Sequence, residues 1–269
     1  MRTSCIIPTR NRCHMIEAAI ESVLQQSLKQ IEIIVVDDNS SDKTVTFLKQ
    51  SYPQVHIVSL PAQVGPGIAR NMGVAVAQGE IIMFLDSDDC WLPQHAASLL
   101  DVMEKGFEVV YGTTLTKDLL GGEEFFIPDT GQGLNGDCLP ILARWCFLVP
   151  SSVALTRQAF ERVGGFTGDK LGEDWIFFVK LAEHYSFGFC GPDPITIRNL
   201  HTGSICNLTD NDAIVYAVRS VGKTLRASRK FDKSQVQRFL HFENWVMENS
   251  IAWKTVQDCY CAMKKEGMI

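Results

Sequence analysis

Phe84-Leu85-Asp86-Ser87-Asp88-Asp89 is the stretch of sequence that decides both the fold and the place of its chemistry. Its three carboxylates directly follow the apolar run Ile81–Leu85, which is typical of a strand buried on both faces. The acidic end of such a strand lies where a parallel sheet opens into its ligand crevice. Because closely spaced carboxylates repel one another, a hard divalent cation would stabilise them and leave positions open for phosphate oxygens. Asp86-Ser87-Asp88 therefore predicts a metal–diphosphate site.

Strand and helix patterns alternate along the first part of the chain. Apolar residues such as Ile16, Ile20 and Leu24 recur at helical spacing between two apolar runs. This alternation indicates right-handed crossovers and an α/β fold, with a mostly parallel central sheet flanked by helices. The predicted strands are Thr3–Ile7, which Pro8 closes, Ile31–Val36, Val55–Leu60 and Glu80–Leu85.

After Trp91 the rhythm changes, and from about Asp210 onward the pattern is helical. We therefore predict an α/β domain over residues 1–209 and a C-terminal helical extension over residues 210–269. The predicted later elements are a helix from Pro93 to Lys105, a strand over Glu108–Thr114, a hairpin or loop at Gly121-Gly122, short helices over Pro140–Trp145 and Gln158–Val163 around a strand at Ser152–Leu155, a helix over Glu173–Glu183 and a strand over Ile195–Leu200.

Composition narrows the class of protein. The 269 residues are 46% hydrophobic and 21% charged, which is ordinary for a globule with a sizeable core. The net charge of −6 and the lack of a long basic run argue against nucleic acid as a partner. Because the predicted first strand begins at Thr3, we expect no signal peptide, and we expect no membrane span because no apolar stretch is long enough to cross a bilayer. The nine cysteines are scattered along the chain, which is typical of a protein in a reducing compartment. We therefore expect a cytoplasmic protein.

The segment Gly65–Asn71 begins like a dinucleotide-binding fingerprint, but Arg70 stands where the third glycine belongs. It also follows the third strand and not the first, which disfavours a Rossmann cofactor site. Pro66 and Gly67 instead indicate a helix entry whose N–H groups can meet phosphate. Arg70 could add a bidentate contact to a diphosphate, or it could be a solvated arginine on a helix face.

Asp37 and Asp38 end another buried strand. They are favourable turn and cap residues, and a carboxylate there could also accept the N3–H of a pyrimidine base. Pro8, Thr9 and Asn11 end the neighbouring strand and could complete that pocket.

Together these segments resemble the family-2 glycosyltransferases with the GT-A fold. The resemblance runs from Thr3 to about Ser204, and it says little about the particular sugar. The residues that carry it are Pro8-Thr9-x-Asn11, Val36-Asp37-Asp38-x-Ser40, Gly65-x-x-x-Ala69-Arg70-Asn71-x-Gly73, Leu85-Asp86-Ser87-Asp88-Asp89, Val163-Gly164-Gly165-Phe166 and Glu173-Asp174-Trp175.

The resemblance implies a nucleotide-sugar donor. Asp38 matches the residue that contacts the base, usually uracil, with Thr9 and Asn11 lining the same pocket. Arg70 is implied to approach the diphosphate, and Asp86 matches the first acid of the Asp-x-Asp motif, near ribose and metal.

Asp88 matches the acid that binds the divalent cation, Mn²⁺ or Mg²⁺. A histidine near the position of His201 reaches the metal or the diphosphate in several members, although a lone histidine is more often a loop or core residue. Asp174 matches the catalytic base of inverting members, with Glu173 as the rival. The reaction requires such a base because an acceptor hydroxyl is a poor nucleophile. Both acids could instead simply complement the helix dipole.

The activity that the resemblance implies is transfer of a sugar from a UDP-sugar donor to a hydroxyl of a saccharide or lipid-linked saccharide. Two other classes stay open: a sugar-1-phosphate nucleotidyltransferase and a non-catalytic nucleotide-sugar-binding subunit.

The basic stripe from Arg219 to Lys230 could lie on the inner face of a membrane, or it could be the solvent-exposed face of a packed helix. The extension could hold acceptor or mediate a homodimer. Trp91 and Trp175 could stack on sugar rings or anchor the core.

Overall fold

The computed structural model describes residues 2–129, 133–169, 171–204, 211–228, 230–231 and 233–249, together with residues 262, 263 and 265. Its first elements are β1 Thr3–Thr9, α1 Ile16–Leu24, β2 Ile31–Asp37, α2 Thr44–Ser51, β3 His56–Ser59, α3 Pro66–Val76 and β4 Ile81–Phe84. The four strands run parallel in the order β3-β2-β1-β4. This confirms the predicted alternation, and it brings the carboxyl ends of β1, β2 and β4 to one edge of the sheet.

Pro8 lies inside β1, opposite Val36 of β2, and does not close the strand as predicted. The pairing of β1 with β4 already ends at Ile6 and Phe84. A missing N–H at Pro8 therefore breaks no bond of that ladder, so the usual objection to proline in a central strand does not apply.

The later elements are β5 Cys90–Trp91, α4 His95–Met103, β6 Val109–Asp118, β7 Glu124–Ile127, α5 Leu139–Leu142, β8 Val153–Thr156, α6 Arg157–Val163, α7 Glu173–Ala182 and β9 Phe187–Leu200. Within the described residues they complete a nine-stranded sheet, which continues as β4-β8-β6-β9-β5 with β7 paired to β6. β8 runs antiparallel to both β4 and β6, whereas β6 and β9 are parallel. The predicted α/β fold is confirmed, with a parallel first half and a mixed second half.

Two strands differ from the sequence-based prediction. β9 begins at Phe187, whereas the predicted strand began at Ile195. The prediction missed the first half of β9 because its glycines and prolines locally disfavour a strand. The short strand β5 was not predicted and exists because it pairs with β9. Its Trp91 is buried, stacks on His95 with ring centroids 4.1 Å apart, and donates its Nε1–H to the carbonyl of Ser151 at 2.8 Å. Trp91 is therefore a core anchor.

The sheet carries a hydrophobic cluster on each face, because successive residues of its buried strands point to opposite sides. The helices α8 Asn211–Ala227 and α9 Lys233–Asn249 belong to one of these clusters. Val218 and Val221 of α8 and Phe242 of α9 are buried in the same cluster as Phe177 of α7. The helical extension therefore shares its core with the sheet. The predicted boundary at residue 210 lies outside the described residues.

The described members of the predicted basic stripe are exposed, and three of them contact neighbouring elements. Arg226 pairs with Glu243 of α9 at 2.8 Å, and Arg219 donates to the sulfur of Met247 at 3.0 Å. Lys230 donates to the carbonyl of Ala182 at 3.4 Å, while residue 229 lies outside the described ranges. These contacts favour the packed-helix interpretation of the stripe. In the part of the chain that the structure describes, every helix is too short or too polar to cross a membrane.

Candidate active site

A cavity of about 570 Å³ lies at the sheet edge where β1, β2 and β4 end. Ten of the predicted site residues line it, although they come from separate segments of the sequence. The remaining one, His201, contacts the lining residue Asp88. The ten are Pro8, Thr9, Asn11, Asp38, Arg70, Asp86, Ser87, Asp88, Glu173 and Asp174.

One end of the cavity is a pocket between the ends of β1 and β2. Asp38 is buried, and its two carboxylate oxygens accept the backbone N–H groups of Val64 at 2.7 Å and Gly65 at 2.9 Å. A carboxylate has about four lone-pair sites, so Asp38 keeps capacity for one more donor. The buried hydroxyl of Thr9 has no hydrogen-bond partner among the described residues. This end therefore offers an acceptor and a hydroxyl to a ligand.

Asn11 joins the two loops of this pocket. Its φ of 53° is in the left-handed region that asparagine tolerates, and its Oδ1 accepts the N–H of Ser41 at 2.8 Å. Ser40 in turn accepts the N–H of Asn11 at 2.8 Å. Asn11 is exposed at the rim, so its clearest role here is to hold the loop after β1 against the loop after β2.

The three carboxylates after β4 stand in different environments. Asp89 is buried, and it accepts the hydroxyl of Ser151 at 2.6 Å and the N–H of Asn199 at 3.2 Å. Burial, and then the charges of Asp86 and Asp88, hold its pKa well above the usual range. All three acids line the cavity, but buried Asp89 secures the turn, while half-buried Asp86 and Asp88 are more accessible to a ligand.

Asp88 is the centre of a second group of contacts. The N–H of Gly203 donates to His201 Nδ1 at 3.0 Å, so the ring proton lies on Nε2 and is donated to Asp88 Oδ2 at 2.9 Å. A metal at Nε2 would require that proton on Nδ1, where it would face the Gly203 N–H. His201 in this arrangement therefore fits a residue that orients Asp88 better than it fits the predicted metal ligand. Arg12, absent from the prediction, donates to the carbonyl of Gly203 at 2.9 Å and lies 3.9 Å from Asp88 Oδ2.

The residues fit a divalent cation only together with a substrate. In the described ranges, no group of three or more His, Cys, Asp or Glu side chains is arranged to hold a metal. Asp88 is nonetheless a half-buried carboxylate on the cavity wall. Mg²⁺-type cations are commonly held by one or two carboxylates, with phosphate oxygens and water completing the coordination. Asp88 is therefore suited to hold a cation that a diphosphate also binds.

Arg70 lines the cavity and lies between two acids. Its side chain is 4% exposed, with one terminal nitrogen 3.1 Å from Glu173 Oε1 and the other 2.5 Å from Asp86 Oδ1. The guanidinium carbon is 5.1 Å from the ring centroid of Phe166. Both terminal nitrogens thus already hold carboxylates, which argues against the predicted bidentate contact with a diphosphate.

Glu173 and Asp174 form the first turn of α7. Burial, and then the adjacent Asp174, raise the pKa of Glu173 to about 7, while Arg70 opposes the shift. Burial also raises the pKa of Asp174, and Arg70 and Arg198 oppose that shift. Glu173 is buried and paired with Arg70, whereas Asp174 is half-buried and accepts the N–H of Trp175 at 2.7 Å. Asp174 is therefore the better placed of the two to take a proton from a ligand in the cavity.

Sequence reasoning missed three cations of the lining, Arg10, Arg12 and Arg198. Arg12 follows the predicted Asn11 directly, so its place in the same loop was a usable signal. Arg198 lies in β9, and only the pairing of β9 with β6 and β5 brings it to the site, where its charge lowers the pKa of both Asp89 and Asp174.

Part of the cavity wall is apolar. This apolar wall is formed by the segment before β8 and by the helical extension, with Trp145, Leu148, Ile214, Val218 and Phe242 among its residues. Trp175 also lines the cavity, but it is buried and donates its Nε1–H to the carbonyl of Leu142. The lining therefore combines an acidic part with a hydrocarbon part.

Known proteins share this chain's sequence and fold. Residues 4–127 match the model of the family described as Glycosyl transferase family 2. An uncharacterized glycosyltransferase of Haemophilus influenzae is 29% identical over 252 residues, which are 90% of this chain and 85% of that protein. A Campylobacter jejuni protein named GalNAc(5)-diNAcBac-PP-undecaprenol beta-1,3-glucosyltransferase is 35% identical over 151 residues, which are 51% of this chain but only 44% of that protein.

Solved structures share the fold at low sequence identity. S. aureus TarS 1-349 in complex with UDP-GlcNAc has a TM-score of 0.72 at 19% identity, covering 89% of this chain and 70% of that chain. The mannosyltransferase PcManGT from Pyrobaculum calidifontis, in complex with GDP-Man and Mn²⁺, has a TM-score of 0.60 at 17% identity, covering 93% of this chain and 73% of that one. These structures define the fold as GT-A, and the sequence matches make the chain a glycosyltransferase. More narrowly, residues 4–127 of the chain belong to the family-2 glycosyltransferases.

Proposed function

We propose that this chain is an inverting glycosyltransferase. It moves a hexosyl or N-acetylhexosaminyl group from a UDP-sugar to a hydroxyl of a saccharide or lipid-linked saccharide. The observation that carries the proposal is the convergence of Asp38, Asp88 and Asp174, from three distant segments, on one cavity. The UDP-GlcNAc complex of TarS and the name of the Campylobacter relative support this choice of donor and acceptor class.

The polar side of the cavity holds the donor in this proposal. Asp38 accepts the N3–H of uracil, and the unpartnered hydroxyl of Thr9 lies in the same pocket. Asp86 lies toward the ribose, and Asp88 holds Mn²⁺ or Mg²⁺ together with the diphosphate. When bound, the cation supplies stabilisation of the charge that develops on the departing diphosphate. Arg12 adds a cation beside Asp88.

Asp174 acts as the general base. It takes the proton of the acceptor hydroxyl while the acceptor oxygen forms a bond to the anomeric carbon of the donor sugar. The bond from that carbon to the diphosphate oxygen breaks, and UDP leaves with the bonding electron pair. Because one displacement occurs from the face opposite the leaving group, the anomeric configuration inverts.

The helical extension forms part of the acceptor side in this proposal. Ile214, Val218 and Phe242 contribute to the apolar wall, which suits the hydrocarbon faces of an acceptor. The division into a catalytic domain at 1–209 and an extension at 210–269 remains part of the proposal. A cytoplasmic location, with peripheral contact at the inner face of the membrane, and a homodimer are also parts of the proposal.

Product analysis tests the proposed reaction. The purified chain is incubated with labelled UDP-sugars, Mn²⁺ or Mg²⁺ and a set of saccharide acceptors. A glycosyltransferase releases UDP and labels an acceptor. Release of pyrophosphate from a nucleoside triphosphate and a sugar phosphate would instead identify a nucleotidyltransferase. Binding of UDP-sugar without any product would identify a non-catalytic subunit.

A further inference from the structure

We infer that Arg70 is a positioning residue of the transfer reaction, which joins the acid after β4 to the first turn of α7 and makes no contact with the donor diphosphate. The inference rests on the proposed function. It assigns Arg70 to the internal support of the site, in place of the donor contact that the family resemblance implies.

The first step is the occupancy of the guanidinium. Its two terminal nitrogens contact Asp86 and Glu173, which stand on different elements. The Phe166 ring lies 5.1 Å from its central carbon, and its Nε is buried without a partner among the described residues. Three of its five N–H groups are not used in these two contacts, but the side chain is only 4% exposed, so a diphosphate in the cavity has little access to them. Displacement of Glu173, the buried one of the two acids, would leave a buried carboxylate unpaired, which is costly.

The second step is the balance of charge. Glu173 and Asp174 are adjacent, and Asp86 lies on the other side of the same cation. Burial raises the pKa of both Glu173 and Asp174, and the charge of Arg70 opposes that shift. Without Arg70 these carboxylates would repel one another, so the first turn of α7 would move or an acid would take up a proton, and either change disturbs the base.

The third step is the close approach of α3 to the segment before α7. A Cβ on Gly67 would lie 2.6 Å from the carbonyl oxygen of Thr167 and 2.9 Å from Glu173 Cγ, so only glycine fits without a shift. Asn71 then clamps Phe166, since it donates to its carbonyl and accepts its N–H, both at 2.9 Å. Arg70 lies between these two contacts on α3. The helix is therefore held at the distance from which Arg70 can orient the first turn of α7.

Two substitutions of Arg70 and a double variant test the inference. Arg70→Met removes the cation, Arg70→Lys keeps a charge that cannot bridge two acids, and the double variant combines R70M with E173Q. Arg157→Met is the matched control. Arg157 also holds α3, by donating to the carbonyls of Val74, Ala77 and Gly79, but it contacts no acid of the site. Melting temperature, Kd for UDP and for uridine, and kcat and KM for transfer are measured for each.

A positioning role predicts a split between binding and turnover. R70M keeps the preference for UDP over uridine within about threefold, while kcat falls by on the order of 100-fold, as expected for a displaced base. R70K recovers part of kcat. Adding E173Q to R70M restores much of the lost melting temperature without restoring kcat. R157M lowers the melting temperature and leaves kcat and the UDP preference unchanged.

The opposite split overturns the inference. If R70M or R70K loses the preference for UDP over uridine by about tenfold or more, with near-normal kcat at saturating donor, Arg70 contacts the diphosphate. If R70M does not fold, R70K and the double variant carry the same comparison. If the unaltered chain binds no UDP, the proposed function fails. In that case, additive effects of R70M and E173Q on melting temperature would separately overturn the bridging role.

Discussion

Replacing Asp174 by Asn is expected to abolish transfer while sparing the fold and the donor site. The amide has nearly the same shape, and its Oδ1 can still accept the N–H of Trp175, which contacts Asp174 at 2.7 Å. Because burial raises the pKa of Asp174, the native structure disfavours its charge, and a neutral amide should not destabilise the fold. The position lies on the cavity wall, apart from the pocket formed by Thr9 and Asp38.

The size of the loss follows from the role of the base. Positioned proton removal contributes roughly 10²–10⁴-fold, or about 3–5 kcal/mol of barrier at about 1.4 kcal/mol per factor of ten. The assay is UDP release at saturating donor and acceptor, with UDP affinity and melting temperature measured in parallel. Glu173→Gln is the matched control. Its Oε1 can still accept from Arg70, so turnover should fall by less than about tenfold.

Two outcomes would refute this reasoning. Turnover of the Asn variant within about threefold of the unaltered chain would remove Asp174 from the chemistry. A large loss in the Glu173→Gln variant with a normal Asn variant would transfer the base role to Glu173.

Three further predictions concern the same site. Asp88→Ala should remove the metal-dependent part of UDP binding, seen as loss of the additional thermal shift on adding Mn²⁺; an undiminished shift would place the cation elsewhere. Burial raises the pKa of Asp174, so transfer should decline on acidification at a higher pH than for an ordinary aspartate base, because protonation of Asp174 removes the base. The raised pKa of Glu173 should make the fold more stable as pH falls through about 7. A pH–rate profile that declines no earlier than for an ordinary aspartate would contradict the first expectation. Gly67→Ala should lower both melting temperature and kcat, because the added Cβ would collide with Thr167 and Glu173. Gly168→Ala is the control and should change neither, because its Cβ would meet nothing closer than 3.8 Å. Equal effects of the two substitutions would refute the close-packing argument.

Much of the first half of the fold could be predicted from local patterns. Buried strands such as Ile31–Asp37 and Ile81–Phe84 are continuous apolar runs, and an acidic or turn-forming segment marks the end of each. The rule that parallel strands end at one edge of the sheet then places Asp38 and Asp86 together. Element type and the donor end of the site therefore follow from the sequence.

Other features depend on partners that are distant in the sequence. The strand β5 and the first half of β9 exist through pairing, and no local pattern indicates them. Asp88 and Asp89 are adjacent in the sequence and both line the cavity, yet one is half-buried and the other is buried against Ser151. A carboxylate's role is set by its surroundings, and neighbouring residues of one turn can have different surroundings.

The sequence by itself determined the class of fold, the family and the set of acids at the sheet edge, because these are encoded in short segments whose pattern is local. Only the tertiary structure decided which cations neutralise the charges of those acids. Arg70 and Glu173 are 103 positions apart, and their contact depends on α3 packing closely against the segment before α7. Electrostatic interaction depends on distance and burial in space, neither of which is a property of residue order.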